Sequence, residues 1–211
     1  GPGTPMGDML RRFWTPFLEA SKLPGPDCDP VEVRLLGEDL VAYCDTQGRY
    51  GLLVDRCPHR GTPLYYGRNE ENGIRCIYHG WKFDIEGRCV DMPSEPEASN
   101  FKHKVKVGAY PVRELAGALW TYMGPPHLMP EMPDLAWSRT TEAQRNIVRY
   151  NQECNWVQAL EGDIDTSHTS FLHRGSLSKE PGYVEIDYTS LMFDPAPRVS
   201  VKDTEYGMMT A

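Results

Sequence analysis

Between Val31 and Cys44 the chain carries two alternating segments, VEVRLL and LVAYC, with a turn at Gly37-Glu38-Asp39. A period of two is the signature of strands that bury one face, so antiparallel pairing is predicted here. Tyr50–Val54 reads as a further strand, and Trp81–Asp84 leads to a turn at Glu86-Gly87-Arg88. Val105–Val107 and Tyr110–Arg113 alternate again, and a turn at Gly117 precedes the apolar run Ala118–Met123. Short strands broken by Gly and Pro predict an all-β domain over residues 36–125. Ahead of it, residues 1–35 form an N-terminal segment in which Met9–Glu19 is predicted as a short amphipathic helix, interrupted near Pro16. Pro125, Pro126, Pro130 and Pro133 stiffen the chain into an extended connection, which is where a domain boundary is expected. Residues 126–211 then differ in character. A strand is expected at Ile147–Asn151, helical spacing covers Asn155–Leu172, Val184–Met192 alternates, and another strand begins within Arg198–Lys202. The fold class is α+β.

Two cysteine–histidine pairs stand inside the predicted β domain, Cys57-Pro58-His59-Arg60-Gly61 and Cys76-Ile77-Tyr78-His79-Gly80-Trp81, with sixteen residues between His59 and Cys76. One pair is C-x-H and the other C-x-x-H. Two imidazoles on one iron and two thiolates on the other is the ligand set of a high-potential two-iron, two-sulfur centre. Neutral imidazoles in place of thiolates remove negative charge, so an added electron meets less repulsion. The same four residue types also suit tetrahedral zinc. Zinc pairs usually place both cysteines together and both histidines after them, whereas each loop here carries one of each, an order that favours the [2Fe-2S] cluster. Pro58 and Gly61 are expected to tighten the first loop, Gly80 to let backbone approach the cluster, and Trp81 to shield it from water.

Charge and composition narrow the partners. A net charge of −8 argues against a nucleic-acid-binding surface. No run of about eighteen apolar residues is present, so no membrane span is predicted, and Gly1–Pro5 lacks the apolar core of a secretory signal. The other four of the six cysteines, Cys28, Cys44, Cys89 and Cys154, are irregularly spaced. They read as free thiols in a reducing cytoplasm, which is the expected location.

A second centre lies in the helical stretch. On a regular helix Glu161, Asp165, His168 and Leu172 fall within about 60° of one another, whereas His173 lies roughly 140° from His168. One straight helix cannot aim both rings at a single ion, so a bend or end is predicted near Thr169-Ser170. Two histidines and a carboxylate, with open positions left on the metal, suit mononuclear Fe(II) that activates O₂. H-x₄-H alone is equally the mark of two polar histidines on a helix flank. Asp165 is open to three readings: iron ligand, hydrogen-bond partner of a ligand, or surface charge.

Taken together, these motifs resemble the Rieske non-haem iron aromatic-ring-hydroxylating oxygenases, large subunit, and within them the phthalate dioxygenase group. The likeness extends from Gly1–Gly7 and Arg11-Arg12-Phe13-Trp14 through both cluster loops, Tyr110-Pro111-Val112 and Trp120–Gly124, to Asn155–His173. It implies a Rieske domain followed by the beginning of a helix-grip catalytic domain, an antiparallel sheet with helices. It implies that Cys57, His59, Cys76 and His79 hold the [2Fe-2S] cluster and that His168 and His173 bind the mononuclear iron. Asp165 is then no ligand but a bridge from His168 to His79 of a neighbouring subunit, in a homotrimer or a multiple of one. The third iron ligand, an aspartate, is expected beyond Ala211, in a protein about twice as long as this chain. The implied activity is O₂-dependent mono- or dihydroxylation, or O-demethylation, of an aromatic or cyclic, carboxylated small molecule. Electrons come from a flavin- or ferredoxin-type reductase, which Arg60 and the edge Tyr65–Arg68 are candidates to dock. A Rieske electron carrier without oxygenase chemistry, and a zinc-stabilised binding module, are the alternatives. Trp120 and Trp156 are expected in the core.

Overall fold

A computed structural model describes residues 1–96, 98–165, 167–172, 198–205 and 207–210. In chain order the first part holds α1 (Pro5–Leu10), β1 (Thr15–Glu19), β2 (Val31–Leu35), β3 (Glu38–Cys44), β4 (Tyr50–Val54), β5 (Arg68–Glu70) and β6 (Gly73–Arg75). There follow β7 (Lys82–Phe83), β8 (Cys89–Asp91), β9 (Ala109–Tyr110), β10 (Val112–Leu115) and β11 (Ala118–Thr121). The second part holds α2 (Trp156–Ile164), α3 (Thr169–Leu172), β12 (Val201–Thr204) and β13 (Gly207–Thr210). By packing, the chain divides between Arg149 and Tyr150.

Three antiparallel sheets build the first unit, in the orders β2-β3-β4-β9, β1-β11-β10 and β5-β6-β7-β8. The β2–β3 hairpin closes on Leu36-Gly37, both at positive φ (47° and 85°), with Leu35 opposite Glu38. That is the two-residue turn whose twist matches the flanking strands. On β3, Val41 and Tyr43 enter one core with Leu53, Leu64, Ile74, Trp81 and Phe83. Leu40, Ala42 and Cys44 enter the other, with Phe17, Leu18, Val33, Leu52 and Leu119. The strand is therefore buried on both faces, which explains why LVAYC contains no charge. Each fully buried Leu there contributes about 1.5–3 kcal/mol. The first core also contains Cys57 and Cys76, so the cluster loops grow directly from packed hydrocarbon.

The N-terminal segment differs from the predicted Met9–Glu19 helix. The helix lies earlier, capped by the Thr4 hydroxyl, which accepts from Gly7 N–H at 3.1 Å, with Pro5 in its first turn. Pro16 cannot donate within a helix, but it is tolerated on an edge strand. Thr15–Glu19 accordingly pairs as β1 with β11, with an irregularity between Pro16 and Leu18. Arg11 ties this segment to the hairpin, bonding Leu36 O at 2.9 Å and Glu38 at 2.6 Å.

The chain after residue 124 is not the uniformly extended connection expected, since Pro126–Leu128, Ala136–Arg139 and Glu142–Gln144 each form a short 3-10 turn, and residues up to 149 stay with the first unit. Trp14 Nε1 donates to Pro130 O (2.9 Å), and Arg149 Nη1 donates to Phe17 O (3.0 Å). Residues 147–151 form no strand. In the second unit α2 ends at Ile164 and α3 starts at Thr169, so the long helical stretch is already interrupted ahead of the expected place. β12 and β13 form a hairpin over the residues where a strand was expected to begin; Val184–Met192 lies outside the described residues. Among the described residues, no helix is long and apolar enough to cross a membrane.

Candidate metal centre

The two cluster loops are built alike. The first follows β4; Cys57 N–H donates to Thr62 O (2.9 Å) and Gly61 N–H returns to Cys57 O (2.8 Å). The second joins β6 to β7; Cys76 N–H donates to Trp81 O (2.9 Å) and Gly80 N–H returns to Cys76 O (3.0 Å). In both, the glycine four residues after the cysteine closes the turn at positive φ, 73° at Gly61 and 78° at Gly80. At Gly80 an added Cβ would also meet Pro93 Cγ at 2.7 Å. Glycine is the residue that takes this backbone at no steric cost.

These loops bring the four predicted cluster residues together. The Cys57 and Cys76 thiols are both buried and interact directly. The His59 and His79 rings meet edge to face with centroids 4.3 Å apart, and Trp81 stacks on His59 at 4.5 Å and 9°. Trp81 is itself fixed by its Nε1–H to Ser94 Oγ at 3.2 Å. Burial, then the neighbouring Cys76, pushes the Cys57 thiol up to about 11. Burial, His79 and Arg60 hold His59 below the usual imidazole range. His59 therefore favours its neutral, ligating form. Its Nδ1 is buried without a hydrogen-bond partner. A buried polar atom left so is costly, and a metal ion would satisfy it.

Among the described residues, no three His, Cys, Asp or Glu side chains are arranged to hold one metal ion. A two-iron cluster asks only two protein ligands of each iron, which is what a thiol pair beside an imidazole pair offers. All six cysteines are free thiols, with Cys44 and Cys89 buried, Cys28 half-buried and Cys154 exposed.

Arg75, directly before Cys76, is a supporting residue that sequence reasoning missed. Its buried guanidinium bonds Glu70 (2.6 Å), Asp91 (2.6 Å) and the carbonyl of Gly80 (2.9 Å), so it braces the second loop from behind. Lys82 Nζ joins through Glu71 at 2.7 Å. Arg75 holds Glu70 and Asp91, and Lys82 holds Glu71, below the usual carboxylate range. Their stabilisation is complete above the ordinary carboxylate pKa of about 4 and is lost as pH falls through the lower folded values. Arg75→Met should cost about 2 kcal/mol, the scale of hydrogen bonds to charged groups. It should also flatten the acid limb of the stability–pH curve, measured by urea unfolding between pH 3 and 7; an unchanged limb would remove the bracing role.

In the second unit, Asp165 ends α2. Its carboxylate accepts from Ser167 N–H at 2.8 Å and lies 3.1 Å from His168 Nδ1. The Ser167 amide, then His168, keeps it below the usual aspartate range. His173 lies outside the described residues. Trp120 is buried, as expected, whereas Trp156 is 52% exposed.

The Rieske [2Fe-2S] domain family matches residues 13–111, and the LigXa C-terminal domain-like family matches residues 121–211. The chain belongs to the Rieske non-haem iron oxygenase family. It is 45% identical to the 3-chlorobenzoate-3,4-dioxygenase oxygenase subunit of Comamonas testosteroni, over 98% of this chain and 48% of that protein. The same figures describe its likeness to the phthalate 4,5-dioxygenase oxygenase subunit of Pseudomonas putida. The chain thus spans about half the length of these curated relatives. Among solved structures, Pseudomonas putida CBB5 NdmA aligns with a TM-score of 0.67 at 26% identity, covering 95% of this chain and 58% of that one. Dicamba monooxygenase bound to 3,6-dichlorosalicylic acid also gives 0.67, at 28% identity over 78% and 48%. The Rieske assignment accounts for both loops, which a zinc module does not.

Proposed function

We propose that this chain supplies the electron-accepting domain, and the start of the oxygen-activating domain, of a Rieske oxygenase that hydroxylates or O-demethylates a small aromatic carboxylate. Cys57 and Cys76 bind one iron of the [2Fe-2S] cluster, and His59 and His79 the other. His168 and His173 bind the mononuclear iron, with an aspartate beyond Ala211 completing the set. When bound, the cluster supplies single electrons and the ferrous ion supplies the oxygen-activating centre. The chain's own residues prepare both places. Burial keeps water from the thiols and holds His59 neutral, Trp81 covers the His59 ring, and Asp165 fixes the orientation of His168. Asp165 also links His168 to His79 of the next subunit of a homotrimer. The location is cytoplasmic, and a flavin- or ferredoxin-type reductase is the electron source. The substrate class follows from chlorobenzoate and phthalate, which are named for the relatives.

One observation carries the reading: a buried thiol pair and a touching imidazole pair presented by two equivalent loops, with His59 Nδ1 left open. Anaerobic purification of the protein tests it. Red-brown colour, acid-labile sulfide and a rhombic paramagnetic signal after one-electron reduction are expected. Substrate-dependent O₂ uptake with a benzoate or phthalate should follow once a reductase is added. Colourless protein without labile sulfide after reconstitution would overturn the proposal.

A further inference from the structure

Against the acidic background of the chain, one wall of the Rieske domain is basic. Arg88, Lys102, His103, Lys104 and Lys106 line a cleft of about 400 Å³ together with Asp84. Asp84 is already bound to Arg88 at 2.8 Å, and Glu86 also pairs with that guanidinium. Lys102, Lys104 and Lys106 form no ion pair with any described residue; Lys104 and Lys106 are exposed and Lys102 is half-buried. Asp91 and Glu95 line a neighbouring cleft that Lys102 and His103 also border; Asp91 is bound to Arg75, and Glu95 accepts from Ser99 Oγ at 3.4 Å. The basic segment is held in place. Cys89 N–H donates to Val105 O (3.2 Å) and Val107 N–H to Gly87 O (2.8 Å).

At the head of this segment Phe101 is 47% exposed. Its ring packs edge to face on Trp81 with centroids 6.2 Å apart, and Trp81 stacks on His59 at 4.5 Å. A continuous aromatic path therefore runs from the basic surface to a proposed cluster ligand. Neither observation requires the other for packing, yet both meet at Phe101.

We propose that the Lys102–Lys106 segment is the docking site for an acidic, one-electron donor protein, and that Phe101 and Trp81 form the contact through which its electron reaches His59. The inference rests on the cluster assignment above. In each event the donor's reduced iron–sulfur or flavin centre is oxidised by one electron and the cluster is reduced by one. Phe101 and Trp81 are a tunnelling medium and change no oxidation state. Carboxylates on the donor complement the lysines, and steering of this kind raises association rates by about 10–1,000-fold at low salt. This centres docking on Phe101 and the lysines that follow it rather than on Arg68, whose guanidinium pairs with Glu70.

The test uses the purified, cluster-loaded protein with a reduced plant-type [2Fe-2S] ferredoxin as the acidic probe, in stopped flow. Reduced methyl viologen, a cation, is the control. The triple variant Lys102→Glu, Lys104→Glu, Lys106→Glu should slow reduction by ferredoxin about tenfold or more at low ionic strength and flatten its salt dependence. Reduction by viologen should not slow. Phe101→Ala should leave the affinity for oxidised ferredoxin, read by calorimetry, within about twofold while lowering the limiting rate within the complex. Visible absorbance and midpoint potential report the cluster in each variant. Unchanged ferredoxin kinetics in loaded charge-reversed protein would overturn the docking site. Equal slowing with viologen would do so too, since it marks a damaged cluster environment. An unchanged limiting rate in Phe101→Ala would overturn the path. Wild-type protein that holds no cluster would instead overturn the underlying assignment.

Discussion

Replacing both His59 and His79 with cysteine is expected to drop the cluster potential to about −400 mV, from a wild-type value within roughly −150 to +300 mV. The cause is charge. Two thiolates add two negative charges beside an iron that must accept an electron, and the loops bury that iron's surroundings among Cys57, Cys76 and Trp81, where screening is weak. The hydrogen bonds that close both turns are between backbone groups and use neither imidazole, so the substitutions leave them in place. A second signature separates this effect from simple damage. A metal-bound imidazole keeps an ionisable N–H, more acidic on the oxidised centre. The wild-type potential should therefore fall with rising pH once the oxidised form begins to lose that proton. The double variant has no such proton, and its potential should stay level over the same range. Voltammetry across pH 6–10 reads both features. A variant that loads its cluster and keeps the original potential would refute the assignment of the two histidines. If the double variant loads poorly, His79→Cys alone should lie between the two values.

The loops were legible because their chemistry is local. Cysteine, histidine and glycine at fixed offsets are all that two hydrogen bonds per turn require, and Gly61 and Gly80 take the left-handed backbone that the spacing anticipates. The Arg75 brace was not legible. Its partners Glu70, Glu71 and Asp91 come from different parts of the small sheet, and only the β5-β6-β7-β8 pairing places them around one guanidinium. The Met9–Glu19 segment misled for a different reason. Its apolar residues fit a helical stripe, but Phe17 and Leu18 are adjacent and both buried, because β1 is covered where it pairs with β11. Long-range burial overrode a short-range period. Phe101 carries no sequence signal at all, since its neighbour Trp81 lies twenty residues earlier and meets it only through the fold of β8 and the turn that follows.

Asp165→Asn should leave both metal centres loaded and reduce product formation by about 100-fold, the upper range for losing the partner of a metal-bound histidine. The argument rests on what an aspartate can accept. One oxygen takes the Ser167 N–H at 2.8 Å, and the other lies 3.1 Å from His168 Nδ1. The carboxylate is 47% exposed within its own unit, so lone pairs remain for a donor from another chain. The amide isostere keeps the turn, because its oxygen still accepts from Ser167. On the side facing His168 it presents N–H donors to another N–H donor, so it cannot join two imidazoles. A structural role predicts lower stability or lost iron, whereas a bridging role predicts neither. The distinguishing measurement is the rate at which the reduced cluster is reoxidised with substrate and O₂ present. That rate should fall about 100-fold in the variant, while reduction of the cluster by the donor protein is unchanged. Asp165→Glu, which keeps two acceptor oxygens on a longer arm, should recover part of the rate where Asn does not. Wild-type reoxidation in Asp165→Asn would leave the aspartate as nothing more than the residue that ends α2.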